Sequence, residues 1–375
     1  MSKKVLITGG AGFIGSHVAD LLDQKGYEVS VLDNFDPASH PNPNVSKERC
    51  RTKFELIDGD VKDLGTLKPI ITRFDVICHL AASVGIAQSN YSIPQFVGNN
   101  ETGTATLLQA IIDTKHSSNL QKFIIASSNT IYGEGLYQCE THGTFHPVVR
   151  TEEDVKRFGL EMTCPQCHNP SHPIPTPEHT DLPCNSVYAL TKRNQENLCT
   201  TVGGLFSFPV VGLRFFNVYG PGQCLSNPYT GVSAIFTSRI KHGNVPIIYE
   251  DGKQTRDFVS VHDVARAHLM AIQKDSANNQ IFNIGSGSPV TIEDLAHQIA
   301  KIYGKETTPK ITRDFRKGDI RHCVADISKA KKSLDWSPEV SFKDGLKELV
   351  EWSRDQDTQD NFDKAAAELK ERGLA

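Results

Sequence analysis

One run, Thr8-Gly9-Gly10-Ala11-Gly12-Phe13-Ile14-Gly15, constrains this chain more than any other. It follows the apolar segment Lys4–Thr8. It opens a stretch in which Ile14, Val18, Leu21 and Leu22 recur at helical spacing, with Gly26 as the stop signal. Glycine clusters also mark ordinary turns. Between a strand and a helix, however, Gly9, Gly12 and Gly15 make a tight turn and let a pyrophosphate approach the backbone. They also leave N–H groups at a helix N-terminus facing its charge. Asp33 ends the second apolar run, 18 residues after Gly15, where an acid bonds the adenosine ribose hydroxyls. The expectation is a bound dinucleotide. NAD is expected over NADP, because the Asp33 carboxylate repels a 2′-phosphate and Asn34-Phe35-Asp36 supplies no nearby arginine.

Lys4–Thr8, Val29–Leu32, Phe54–Ile57, Val76–Leu80 and Phe123–Ala126 read as strands, with Val, Ile, Leu and Phe at successive positions. That composition suits strands buried on both faces of a parallel sheet. Gln95 to Thr114 is long enough for a crossover helix, and the βαβ alternation predicts a doubly wound α/β sheet. From Gly133 to Pro183 the pattern dissolves into a stretch with seven prolines. It resumes with a helix over Val187–Val202, strands at Val210–Phe215 and Gln280–Ile284, and a helix near Ile292–Tyr303. The chain reads as a dinucleotide-binding part over 1–135, a Cys/His-rich insert over 136–183, and completion of the first part over 184–220. A mainly substrate-binding region over 221–352 and a polar tail over 353–375, either a surface helix or frayed, follow.

A chain of 375 residues allows two or three domains or one large α/β unit, and it buries a core without disulfides. Forty Lys+Arg against 44 Asp+Glu leave no field of the kind that draws nucleic acid or a membrane surface. No apolar run reaches roughly 18 residues, so no transmembrane helix is expected. The apolar run after Met1-Ser2-Lys3-Lys4 breaks too early for a signal peptide. Nine cysteines, an odd number, argue against a disulfide framework and for a cytoplasmic protein with reduced thiols or a metal site.

Tyr188-Ala189-Leu190-Thr191-Lys192 places a phenol and an ammonium one helical turn apart on one face. A phenol with a reference pKa of about 10 is a poor base at neutral pH, and a nearby cation stabilises its phenolate. A lone pair of this spacing is more often a surface coincidence. Downstream of a dinucleotide fingerprint it reads as a catalytic base and its activator.

Together with His79-Leu80-Ala81-Ala82, Asn100-x-x-Gly103-Thr104 and Ser127-Ser128-Asn129-Thr130-Ile131-Tyr132-Gly133, these motifs carry a family likeness. So do Leu213-Arg214-Phe215-Phe216-Asn217-Val218-Tyr219-Gly220-Pro221, Asp251 to Val259 and Arg316-Lys317-Gly318-Asp319-Ile320-Arg321. The chain resembles, over nearly its whole length, the extended short-chain dehydrogenase/reductase family and its NAD-dependent nucleotide-sugar epimerases. The resemblance implies a Rossmann-like doubly wound parallel sheet with a smaller C-terminal substrate-binding α/β region. It implies Tyr188 as base, Ser128 against the reacting sugar hydroxyl and Lys192 on the nicotinamide ribose. Gly9, Gly12, Phe13, Ile14, Gly15, Asp33, Asn34, Asp60, Val61, Leu80, Ala81, Ala82 and Asn100 would hold NAD, with Tyr188 and Lys192. Ser83, Ser128, Asn129, Thr130, Asn217, Arg256, Arg316 and Asp319 would hold the nucleotide-diphosphate sugar, arginine forks suiting phosphate oxygens. A homodimer through the helices carrying Asn100 and Tyr188 is implied as well.

The residues after Ser128 bear on the reaction. In the family pattern, dehydratases place Asp-Glu directly after this hydroxyl and decarboxylases place Glu two after it; here the positions hold Asn129 and Thr130. Oxidation and re-reduction need no extra acid there. The run from Tyr219 to Val232, with Gly133-Glu134-Gly135-Leu136-Tyr137, is most similar to the dTDP-L-rhamnose 4-epimerase group. The expected reaction is inversion of carbon 4 of dTDP-L-rhamnose or a related 6-deoxyhexose through a 4-keto intermediate. Epimerases of UDP-hexoses or CDP-sugars, a nucleotide-sugar reductase and a non-catalytic NAD-binding regulator are the competing readings.

Cys139-x-x-His142 and Cys164-Pro165-Gln166-Cys167 form two pairs separated by 21 residues. Two turns with paired soft ligands are what a closed tetrahedral structural zinc site requires. Cys184 and His146 are alternative ligands. Cys50, Cys78, Cys199, Cys224 and Cys323 read as small core or surface residues, and His17 and His262 as packing or surface groups.

Overall fold

The computed structural model describes residues 2–316 and 318–373. Lys317 of the Arg316–Asp319 run and the last two residues of the tail lie outside them. Seven parallel strands form the main sheet: β1 (Lys4–Thr8), β2 (Glu28–Asp33), β3 (Glu55–Asp58), β4 (Val76–His79), β5 (Lys122–Ser128), β6 (Val210–Phe215) and β7 (Gln280–Ile284). Their order is β7-β6-β5-β4-β1-β2-β3. This is the doubly wound α/β arrangement, Rossmann-like. Every residue of β4, β5 and β6 is buried, which is why these strands read as unbroken apolar runs.

Side chains alternate across β1. Val5 and Ile7 join a core with Val18 and Leu22 of α1 (Phe13–Gln24), whereas Leu6 joins Leu107 and Ile111 of α2 (Gly103–Asp113) and Cys199 of α3 (Val187–Phe206). The helix expected over Gln95–Thr114 starts at Ile93, and a π turn over Val97–Thr102 precedes α2. The strand order reverses between β1 and β4, so a crevice opens at their carboxyl ends.

The region 221–352 is not wholly separate from this sheet, because it returns α4 (Val261–Gln273) and β7 to it. Its own core joins Tyr219, Phe258, Leu295 and Leu349. The aperiodic stretch Gly133–Pro183 holds a small antiparallel sheet, Leu136–Cys139 with Gly143–Phe145 and His172–Ile174, and a short helix, Glu152–Phe158. Strands of three and four residues are too short to show a period. Among the described residues no helix is long and apolar enough to cross a membrane.

Two histidines are sealed in this core. His79 sits between the hydroxyls of Thr8 (2.7 Å) and Thr104 (2.9 Å), and His268 bonds the Val264 carbonyl (2.9 Å). Burial pushes His79 down to about 3 and His268 down to about 4. The unfolded chain binds protons at these groups below about 6.5 while the fold does not, so their contribution is full above that pH and shrinks as pH falls. At pH about 5.5 the unfolding free energy should be lower than at pH 7 by roughly 1 kcal/mol per histidine. Denaturant titrations across this range check it, and stability that holds or rises would contradict neutral burial.

Candidate active site

The crevice is a cavity of about 640 Å³ that runs from the glycine turn past Tyr188 to Arg256. At its floor, Gly9 has φ +69°, and a Cβ there would lie 2.8 Å from the Ala81 nitrogen; a Cβ on Gly15 would lie 2.2 Å from the Gly9 carbonyl oxygen. Only glycine lets these three backbones meet. Gly12 starts α1 without a side-chain cap, so the helix keeps its first N–H groups for a ligand. Gly9, Gly12, Phe13, Ile14 and Gly15 all line the cavity.

Asp33 closes β2 at the same end. Its carboxylate accepts from Ala11 N (3.1 Å) and Phe35 N (2.9 Å), with His40 Nε2 3.4 Å away. Sequence proximity alone missed one neighbour: Arg49, from the helix Pro43–Arg51, reaches the fingerprint turn and donates to the Ala11 carbonyl at 3.3 Å. Asn34, Asp60, Val61, Leu80, Ala81 and Ala82 line the cavity beyond Asp33, and Asn34 donates to Asp60 (3.0 Å). These groups fit a dinucleotide by shape and charge.

Asn100 is set behind the wall rather than on it. It is fully buried in the π turn, accepts from Ser83 N (2.7 Å) and donates to Thr191 Oγ1 (2.9 Å). It therefore ties the Ser83 loop to α3 instead of touching the cavity. Ser83 itself lines the cavity.

Ser128 ends β5 and caps the turn Asn129–Tyr132, accepting from Thr130 N (3.2 Å) and Thr130 Oγ1 (3.0 Å). The turn sends successive side chains apart. Thr130 faces the cavity, and Asn129 points away from it into the packing. Ser186 caps α3 by accepting from Ala189 N (3.1 Å), and Ser89 Oγ accepts from Tyr188 N (3.0 Å). These anchors aim the Tyr188 phenol toward the Ser128 hydroxyl. Lys192 donates to the Ala126 carbonyl (3.0 Å) one turn further on. Burial pushes Tyr188 up to about 12, opposed by the nearby Ser128 hydroxyl, and pushes Lys192 down to about 8.

The far wall carries Asn217, Arg256, Arg316 and Asp319. Arg256 Nη2 donates to Asp319 (2.9 Å), and Arg316 lies over the Tyr249 ring. Gln223 and Gln254, which lie in the motif runs but are not among the expected site residues, line the cavity too. The side-chain oxygens of Asn217, Gln223 and Gln254 are buried without a partner, which is how ligand-facing acceptors look before a ligand supplies the donors.

The tail also belongs to the site. Its helix, α5 (Phe362–Glu371), turns Phe362, Ala365, Ala366 and Leu369 into the cavity wall. Tyr229 donates to Glu368 (2.7 Å), Arg239 pairs with Asp363 (3.0 Å), and Arg372 lies over the Tyr91 ring. The helix thus bridges the two halves of the crevice. Its apolar residues stand at helical spacing in the sequence, and that was the available signal.

In the insert, Cys139, His142, Cys164 and Cys167 each bring a ligand atom within 4.8 Å of the others. Cys184 and His146 stand outside this group; Cys184 Sγ approaches the Ile131 carbonyl instead.

The family model for the NAD dependent epimerase/dehydratase family matches residues 5–285 of the 375. The chain belongs to this family. It is similar to a dTDP-L-rhamnose 4-epimerase of Burkholderia thailandensis, with 35% identity over 93% of this chain and 94% of that one. A UDP-glucose 4-epimerase of Thermotoga maritima, solved with UDP-glucose, is 31% identical over 94% of this chain and 98% of that one, with a TM-score of 0.75. A UDP-glucuronic acid 4-epimerase of Bacillus cereus, solved with UDP-glucuronic acid and NAD, is 30% identical over 93% and 98%, with a TM-score of 0.72. This member of the epimerase/dehydratase family is an NAD-dependent enzyme, and its serine, tyrosine and lysine converge on one cavity.

Proposed function

We propose that the enzyme inverts carbon 4 of a nucleotide-diphosphate sugar, dTDP-L-rhamnose or a related 6-deoxyhexose, with NAD as cofactor. The observation that carries this reading is the grouping of Ser128, Tyr188 and Lys192 in a cavity whose adjoining turn offers Thr130 and no carboxylate. Tyr188 takes the proton from the 4-hydroxyl and gives it back to that oxygen when the hydride returns, Ser128 steadies the oxygen as it becomes a carbonyl, and Lys192 holds the phenolate by its charge. Bound NAD supplies the acceptor for the carbon-4 hydride and its return. Between the two transfers the 4-keto sugar turns its other face, tethered through its diphosphate to Arg256 and Arg316. Asn217 completes that grip, and Asp319 holds the Arg256 guanidinium in place. No net redox change results.

Apolar lining favours a 6-deoxy sugar: Val84, Ile86, Ala87 and Leu369 line the cavity that holds Tyr188. Among the described residues lining the cavity, the basic side chains other than the buried Lys192 are His40, at the ribose end, and the two arginines of the far wall. A glucuronate carboxylate would find no cation there, whereas a methyl group would find apolar surface. Incubation with dTDP-L-rhamnose, UDP-glucose and UDP-glucuronate, with products read by NMR, tests this. Inversion at carbon 4 of dTDP-L-rhamnose is expected; turnover of UDP-glucuronate alone would overturn the substrate assignment.

Ending the chain at Gln356 should raise KM for the nucleotide sugar by about tenfold or more, since losing one leucine-sized apolar wall is worth about 1.5–3 kcal/mol. Steady-state kinetics of the truncated enzyme check this, and an unchanged KM would remove α5 from the site.

We further propose zinc at the four Cys/His residues, a cytoplasmic location and a homodimer. Ile93, Val97 and Leu190 are exposed apolar residues on the two helical segments expected to pair. A monomeric mass in solution at micromolar concentration would contradict the dimer.

A further inference from the structure

We infer that the Cys139–His142–Cys164–Cys167 centre is a strut for the nucleotide-binding wall, acting through Glu161 as a positioning residue. The inference rests on the zinc reading of those four residues. Zinc bonds of about 2.3 Å to sulfur and about 2.0–2.1 Å to nitrogen set tetrahedral edges of about 3.8 Å between sulfurs and about 3.6 Å between sulfur and nitrogen. The observed separations are 3.7 Å for Cys139–Cys167, 3.8 Å for Cys139–His142 and 3.5 Å for Cys164–His142. A disulfide would need about 2.05 Å. Each ligand pair also closes a turn followed by a left-handed residue, Gly143 at φ +80° and His168 at φ +58°. Two independent turns thus aim their ligands at one point.

The second turn tips a short hairpin. Thr163 bridges Pro170, Cys164 N donates to Asn169 O (2.9 Å), and Ser171 N donates to Met162 O (3.0 Å). Glu161 stands at the base of that hairpin. One carboxylate oxygen accepts from Arg321 Nε (3.0 Å), and the other meets His322 Nε2 (3.1 Å).

Arg321 is fully buried and is held on its other side by Asp251 (2.6 Å) and Glu250 (3.3 Å). Its carbonyl accepts from Thr255 N (3.0 Å) and Arg256 Nη1 (3.4 Å), and Arg256 pairs with Asp319. Hydrogen bonds therefore run without a break from the hairpin to Arg256 and Asp319, two residues of the wall proposed to hold the nucleotide. A second arm runs beside the first: Arg150 donates to Leu160 O (3.0 Å), pairs with Glu250 (2.9 Å) and reaches Asp319 O (3.4 Å). The intervening helix Glu152–Phe158 buries none of its residues, so little apolar packing orders this part of the insert.

The test uses the full-length enzyme with bound NAD. Zinc is measured by elemental analysis, dTDP and UDP binding by calorimetry, and kcat and KM with dTDP-L-rhamnose or whichever nucleotide sugar the panel shows to turn over. About one zinc per chain is expected. Stripping it, or combining Cys164→Ser with Cys167→Ser, should weaken binding of the diphosphate the enzyme prefers and raise KM about tenfold, with kcat and NAD affinity within about twofold. Glu161→Ala should keep the zinc and show the same shift in KM, and Glu161→Gln, which retains an acceptor for Arg321, should recover part of it.

A chain without zinc, its Cys139 and Cys167 joined as a disulfide, overturns the metal reading and the strut together. Zinc present, with nucleotide affinity unchanged by stripping and by Glu161→Ala, overturns the strut alone. A parallel loss of kcat and NAD affinity marks general unfolding and also overturns it. If the stripped chain fails to fold, Glu161→Ala decides, and an unchanged KM there is the overturning result.

Discussion

Replacing Tyr188 by phenylalanine should lower kcat by about 10²–10⁴ while leaving substrate KM and NAD affinity near their original values. The substitution removes one oxygen and little else. The ring keeps its edge-on packing against Phe96 at 6.4 Å, and the start of α3 keeps its cap from Ser186 and the bond from Tyr188 N to Ser89. Ser128 retains both contacts from Thr130, so the neighbouring hydroxyl stays in place. What disappears is the group that takes the sugar proton as hydride leaves carbon 4. Among the described residues, His79 is the next imidazole along the sheet, and it is locked between two threonines. Turnover of the pure variant within tenfold of the parent would sink the mechanism. Exchange of the carbon-4 hydrogen with solvent as the obligatory route would do the same.

Much of this site was legible because its parts are local. The glycine turn, Asp33 at the end of β2 and the Tyr188–Lys192 spacing each specify their geometry within a few residues, and the strands β1, β6 and β7 fall where their apolar runs place them. Burial on both faces makes those runs continuous. The exceptions have specific causes. Asn100 carries the family motif, but the π turn over Val97–Thr102 rotates it behind Ser83 and Thr191, and no sequence period marks such a turn. Asn129 and Thr130 are adjacent, yet the tight turn capped by Ser128 sends one inward and the other to the cavity.

Long-range partners account for the rest. The tail has the apolar spacing of a helix, but what it covers is decided by Tyr229, Arg239 and Tyr91, which are more than a hundred residues away in the chain. The helix Phe362–Glu371 is therefore a wall of the site rather than only a surface helix. Arg49 reaches the fingerprint turn from a helix that the local run after Asp33 does not contain. In the insert, ligand spacing was readable and the three short strands were not. The hydrogen bonds and ion pairs through Glu161, Arg150 and Arg321 join residues up to 169 positions apart.

Lys192→Met should cost about 10²–10³ in kcat/KM near pH 8 and change the shape of the pH profile as well as its height. Burial alone drives the Tyr188 phenol up to about 12, far above working pH, and drives the Lys192 ammonium down to about 8. The two shifts oppose catalysis separately and help each other together: a charged lysine one turn away stabilises the phenolate, and the phenolate keeps the lysine protonated. An opposite charge at close range lowers such a pKa by about 1–3 units, which at a pH below both values multiplies the phenolate population by about 10–10³. In the parent enzyme the rate should therefore rise with pH and level off as the phenol ionises. Methionine fills the volume of the lysine stem but has no charge, so the phenol returns toward its burial-raised value. The parent's profile should bend at about pH 9–11, whereas the variant's log kcat/KM should climb with unit slope through about pH 11 without a plateau, so that raising the pH recovers activity. The Ala126 carbonyl loses its donor, at a stability cost of about 1–3 kcal/mol that thermal melts report separately. Profiles that bend at the same pH in the two enzymes, offset by a constant factor, would show that Lys192 acts by holding ligand and not by setting the base.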